Sequence, residues 1–162
     1  MIIAVSGTPG CGKSTFSKRL ADLVYYKHIE LTEFIKEHKL ADEFDEFDQS
    51  LVVDTIKLNN ALKKYINPDT NYIIDGHLAH DLGVVDGCII CTCDIKILNK
   101  RLLARGYAPE KVRENLDSEI FQICYTESIE NELTTEKIDC SADLTDEEIK
   151  TTFEKLLKSL QK

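Results

Sequence analysis

The chain has 162 residues, 43% of them hydrophobic and 30% charged, which suits one globular domain with a single core. Its formal net charge of −9 argues against a broad nucleic-acid footprint, which needs clustered Lys and Arg, and leaves room for a basic protein partner. No stretch is long and apolar enough to span a bilayer, and the N-terminus has neither a basic leader nor a cleavage site, so a cytoplasmic protein without a membrane partner is expected.

Residues 2–6 form an apolar run of strand type that leads into GTPGCGKST at 7–15. This segment fits G-x-x-x-x-G-K-[ST], the phosphate-binding loop. A polyphosphate needs several N–H donors converging on it, so the backbone must wrap closely around it. Gly7, Gly10 and Gly12 lack the Cβ that would prevent this. Lys13 brings a compact positive charge to the β- and γ-phosphates of a triphosphate, Ser14 offers a hydroxyl to Mg²⁺, and Thr15 adds a contact to the α-phosphate. A helix over 13–25, with Phe16, Leu20, Leu23 and Val24 on one stripe, aims its N-terminus at the same anion. A glycine-rich turn that happens to carry Lys-Ser is the bland alternative. Cys11 sits at a variable loop position, either as an oxidation-sensitive thiol or as filling.

A short strand near 27–30 precedes LTEFIKEH, a short helix with Thr32 as N-cap. Residues 41–48, ADEFDEFD, carry five acids in eight positions. They read as a solvated loop anchored by Phe44 and Phe47, or as a surface for a basic partner. A helix at 54–66, with Ile56, Leu62 and Ile66 among its apolar positions, ends before Pro68. NYIIDG at 71–76 is an apolar strand that turns abruptly acidic. Asp75 at its carboxyl end is placed to accept hydrogen bonds from magnesium-bound water; the alternative is a loop cap. His77 can orient a water or a phosphate, or stand as an ordinary surface histidine, and nothing in the sequence fixes the direction of His80.

GCIICTC at 87–93 is a buried strand. Its C-x-x-C has no second pair, so Cys88, Cys91 and Cys93 read as buried thiols in a reducing compartment rather than zinc ligands. A helix from 95 to 105, carrying Ile97, Leu98, Leu102 and Leu103, puts Arg101 and Arg105 on one face. Two guanidinium forks there can clamp a transferring phosphoryl group; a solvated helix tip is the alternative. Gly106 then suggests the hinge of a lid, with Arg113 a further candidate. One helix is expected from Pro109 to about 133, burying Val112, Leu116, Ile120, Ile123 and Cys124. A strand at 136–141 and a helix at 145–160, with Ile149, Phe153, Leu156 and Leu160 inward, complete the chain. Strands alternating with helices predict an α/β fold with a parallel sheet.

GTPGCGKST, the acidic segment after a short helix, IIDGH, RLLARGY and NLDSEIFQ together resemble the adenylate kinase isoenzyme 6 family, across residues 1–125. The resemblance implies a three-layer P-loop NTPase fold over 1–162, with five parallel strands in order 2-3-1-4-5. A monophosphate-binding segment would lie at 28–51 and a short lid at 103–113. It implies phosphoryl transfer from Mg-ATP to AMP or another nucleoside monophosphate. The nucleotide would sit on Gly10, Gly12, Lys13, Ser14, Thr15 and Arg105, and Mg²⁺ on Ser14 and Asp75. Lys13, Asp75, His77, Arg101 and Arg105 would carry the reaction. The lid segment has no cysteine, so the zinc-bearing lid of some adenylate kinases is absent. LTEFIKEH lacks the Arg that holds AMP in ordinary adenylate kinases, so those contacts do not transfer directly. The family also hydrolyses ATP and assists maturation of the small ribosomal subunit. It does so by binding the eleventh small-subunit ribosomal protein, whose basic tail would suit an acidic surface. Two other functions stand beside the kinase: an assembly ATPase with incidental kinase activity, and a P-loop kinase for a sugar acid or a coenzyme precursor.

Overall fold

The computed structural model describes residues 1–45 and 50–161, and the side chains of 43–51 lie outside that description. In chain order the elements are β1 (Ile2–Ser6), α1 (Lys13–Val24), β2 (Lys27–Glu30), α2 (Leu31–Glu37), β3 (Ala41–Asp45), β4 (Ser50–Val53), α3 (Thr55–Tyr65), β5 (Tyr72–Asp75), β6 (Gly87–Thr92), α4 (Ile95–Ala104), α5 (Pro109–Ile120), α6 (Ile123–Glu130), β7 (Thr135–Asp139) and α7 (Asp146–Leu160). Five parallel strands form the main sheet in the order β2-β5-β1-β6-β7. Counted alone they run 2-3-1-4-5, the expected order.

The three central strands, β5, β1 and β6, are buried, largely apolar runs because helices cover both faces, whereas the edge strands β2 and β7 are mostly polar. Alternation along β1 sends Ile3 and Val5 to one side, against Phe16, Leu20, Leu98 and Ile149 of α1, α4 and α7. Ala4 turns to the other side, into a core with Phe34, Leu58, Leu62 and Cys124 of α2, α3 and α6. The result is three layers, with the carboxyl ends of β1, β5 and β6 side by side. Among the described residues no helix is long and apolar enough to cross a membrane.

Local chemistry fixes most helix starts. Asp54 accepts from the amides of Ile56 and Lys57, and Asp94 from those of Lys96 and Ile97. Thr145 and Glu148 form a reciprocal capping box. The α2 cap is Glu30, not Thr32: its carboxylate accepts from Thr32 N (2.9 Å) and Glu33 N (3.0 Å). The helix begins directly at the end of β2, which leaves Thr32 inside the first turn.

Two other expectations are corrected. The helix from Pro109 does not run to 133; it breaks at Phe121-Gln122, where Gln122 takes a left-handed φ of 52°. The break re-aims α6 so that Cys124 and Ser128 are buried, while Ile120 and Phe121 are 54% and 69% exposed. The acidic run is not wholly a loop, because 41–45 pairs with 50–53 in an antiparallel hairpin. Phe47 and the side chain of Phe44 lie outside the described residues. Ile56 is exposed, while Leu62, named for this helix from the sequence, is buried together with Leu58. All six cysteines are free and buried. Burial pushes the Cys11 thiol up to about 12 and that of Cys124 to about 11, so both stay protonated and unreactive at neutral pH.

Candidate functional site

Residues 7–12 leave β1 and wind into α1 at the carboxyl edge of the sheet, where ligands of open α/β folds collect. Gly7 has φ +141°, and a Cβ there would stand 2.3 Å from the carbonyl oxygen of Cys91. Gly12, at φ +106°, caps α1 with no side chain. The first amides of the helix therefore face open space with no intrahelical partner. Gly7→Ala should lower stability by about 3 kcal/mol, through strain and a forced shift of the β6 carbonyl. A urea midpoint equal to wild type would contradict this packing.

Lys13 is half-buried, and its Nζ donates to Thr8 O at 3.3 Å, folding back over the loop. Asp75 ends β5 beside Val5 and is 1% exposed. Its Oδ2 accepts from the Ser17 hydroxyl and lies 3.4 Å from His28 Nε2. Its Oδ1, also buried, has no hydrogen-bond partner among the described residues. An orphaned carboxylate oxygen is costly unless something outside the chain satisfies it. A hydrated divalent cation would do so, and oxygen donors such as Asp75 and Ser14 suit Mg²⁺. Neither Ser17 nor His28 belongs to a motif. The available signal is Ser17 as a polar residue on the apolar stripe of α1.

His77 stands at the mouth of the cleft, its ring exposed on one side and crowded by protein on the other. That crowding, the Lys13 ammonium and His80 push its pKa below the ordinary 6.5. The folded chain therefore binds fewer protons at this ring than the unfolded chain. The stability associated with the neutral ring is present above pH 6.5 and is lost as pH falls below it. An NMR titration of the His77 ring should show a midpoint below 6.5 that rises in Lys13→Ala. A midpoint above 6.5 would refute the assignment. His80 faces away from the cleft and is fully buried, with Nδ1 2.7 Å from Ser6 Oγ and Nε2 2.9 Å from Glu127 Oε2.

Arg101 of α4 and Arg105, which caps its C-terminus, part company. Arg101 donates to the carbonyls of Gly10, Cys11, Cys140 and Ser141 at 3.0–3.4 Å. Its guanidinium is occupied in fastening the 140–141 segment to the back of the loop. Arg105, the residue after α4, makes no hydrogen bond through its guanidinium to the described residues and lines the cleft. Arg113 is exposed on α5 and does not line it. Lys111 does, with Nζ 4.9 Å from the Tyr107 ring centroid.

The cleft encloses about 450 Å³ between the loop, the start of α2, Asp75–Leu78 and the Arg105–Lys111 segment. A second recess of about 450 Å³ adjoins it past Gly12 and Thr15, walled by Arg19, Arg101, Arg105 and residues 142–144.

Comparison with known proteins shows the family and the fold. The family model of the AAA domain matches residues 3–122. A protein named "Putative adenylate kinase" from Methanocaldococcus jannaschii is 42% identical over 79% of this chain and 72% of its own length. One of the same name from Pyrococcus abyssi is 33% identical over 98% of this chain and 85% of its own length. The "Adenylate kinase isoenzyme 6 homolog FAP7" of Saccharomyces cerevisiae is 35% identical over 80% of this chain and 66% of its length. Shikimate kinase from Bacteroides thetaiotaomicron shares the fold, with a TM-score of 0.64 over 100% of this chain and 99% of that one, at 15% identity. With a phosphate loop at the sheet edge and relatives matched across most of their length, the chain belongs to the adenylate kinase isoenzyme 6 family of P-loop kinases.

Proposed function

We propose that the protein transfers the γ-phosphoryl group of ATP to AMP, giving two ADP. The observation that supports this most is the meeting of Lys13, Asp75 and Arg105 on one cleft with a room on either side. The triphosphate lies along the first amides of α1, and the donor base enters the recess beside residues 142–144. The acceptor monophosphate lies toward Leu31, Ile35 and Leu58. An acceptor phosphate oxygen attacks the γ-phosphorus in line, the bond to the β-phosphate oxygen breaks, and ADP leaves; no covalent protein intermediate is needed. Lys13 and Arg105 neutralise the spreading charge, while the neutral His77 ring orients the acceptor. Arg101 contributes by holding the loop and the 140–141 segment together. Ser14 and Asp75 would hold Mg²⁺, which when bound supplies charge neutralisation for the transferring phosphoryl group.

A second activity, ATP hydrolysis in the service of small-subunit assembly, rests on the yeast relative's kinship and on the charge of −9. A basic protein, the eleventh of the small subunit, would meet acids such as those of the β3–β4 hairpin. An acceptor screen with Mg-ATP distinguishes the main alternatives. AMP should be phosphorylated fastest among nucleoside monophosphates and shikimate. A sugar acid as the only substrate would overturn the assignment.

A further inference from the structure

The motif NLDSEIFQ places a carboxylate, Glu119, near the end of α5. The mechanism above makes no use of it. Glu119 reaches across to one side chain and one backbone amide at the site. Its Oε2 accepts from the hydroxyl of Thr8 at 2.6 Å, and its Oε1 accepts from the amide of Cys93, just past β6, at 2.8 Å. Thr8 is the second residue of the phosphate loop and is 1% exposed. Its carbonyl accepts from both Lys13 Nζ (3.3 Å) and Cys11 N (3.2 Å). The position of Thr8 thus sets where the loop turns and where the lysine ammonium rests.

A carboxylate close to an anion site repels the anion, so charge alone gives Glu119 no favourable part in binding phosphate. Its bonds do, because both are short and charge-assisted. The helix that carries it starts just beyond the cleft rim at Tyr107 and also presents Lys111 to the cleft. One side chain therefore joins the helix after the hinge glycine to the loop that takes the phosphates.

We infer that Glu119 is a positioning residue of the phosphate loop, acting through the Thr8 hydroxyl and tying the loop to α5. The inference rests on the loop being a nucleotide site. The ligand is the polyphosphate tail shared by ADP and ATP, and Glu119 does not touch it.

Calorimetric titration with ADP tests this on the full chain. Thr8→Val should weaken ADP binding about tenfold, the loss expected when a charge-assisted hydrogen bond is removed, and Thr8→Ser should bind as wild type. Glu119→Ala should weaken binding at least as much, with Glu119→Gln recovering part of the loss by keeping an acceptor for Cys93 N. The double variant Thr8→Val/Glu119→Ala should bind no more weakly than Glu119→Ala alone, because the two residues act as one unit. Wild-type affinity in Thr8→Val, or losses that multiply toward about a hundredfold in the double variant, overturns the inference. If Glu119→Ala does not fold, the contrast between Thr8→Val and Thr8→Ser decides. Folded wild-type protein that fails to bind ADP would remove the nucleotide assignment itself, and the inference with it. That result is distinct from a Thr8→Val variant that binds normally.

Discussion

Lys13→Ala should reduce phosphoryl transfer by about a thousandfold or more while leaving the fold intact. Among the described residues the ammonium makes one hydrogen bond, to Thr8 O, and that carbonyl keeps the Cys11 amide when the lysine is gone. Loss of this partner should move stability by no more than about 0.5 kcal/mol. The catalytic loss is large because the charge acts beside α1 amides inside a cleft, where it is screened less than in water. Lys13→Arg should not restore activity, since a planar fork cannot occupy the space of a compact ammonium against Thr8. Initial rates and urea midpoints for both variants check this. Turnover within tenfold of wild type in Lys13→Ala would sink the proposed chemistry.

Asp75→Asn should separate activity from stability. Turnover should fall by about a hundredfold, with the dependence on Mg²⁺ concentration flattened. The urea midpoint should stay level or rise. The reason is the orphaned Oδ1: a buried carboxylate oxygen with no partner costs about 1–3 kcal/mol, and a neutral amide removes the charge from that position. The amide oxygen can still accept from Ser17, so the link between β5 and α1 survives. A lower midpoint together with unchanged Mg²⁺ dependence would show that Asp75 is structural.

Much of this site is local in sequence and therefore readable from it. The loop from Gly7 to Ser14 is contiguous, its strand and helix flank it, and Asp75 closes an apolar run. Alternating strands and helices imply a parallel sheet, and its strand order is implied by the resemblance alone. Features set by tertiary contact are not readable. Arg101 and Arg105 are four apart on one helix, yet Arg101 is drawn into the carbonyls of the 10–11 and 140–141 segments, which no spacing rule foresees. The break at Gln122 carries no Gly or Pro signal; burial of α6 against the sheet overrides the helical pattern. The Glu30 cap depends on β2 running straight into α2. Ser17, His28 and Thr8 become part of the site only when α1, β2 and α5 converge on the loop.

The proposed reaction has a fixed stoichiometry, which makes it directly measurable. Mg-ATP is incubated with the protein, with and without AMP, and ATP, AMP and ADP are followed together by chromatography. Phosphoryl transfer to AMP predicts that AMP disappears in step with ATP, with two ADP formed for each ATP, and little ADP forms without AMP. ATP loss at the same rate in both incubations, with AMP untouched and one ADP formed for each ATP, would contradict the kinase assignment and leave a hydrolase.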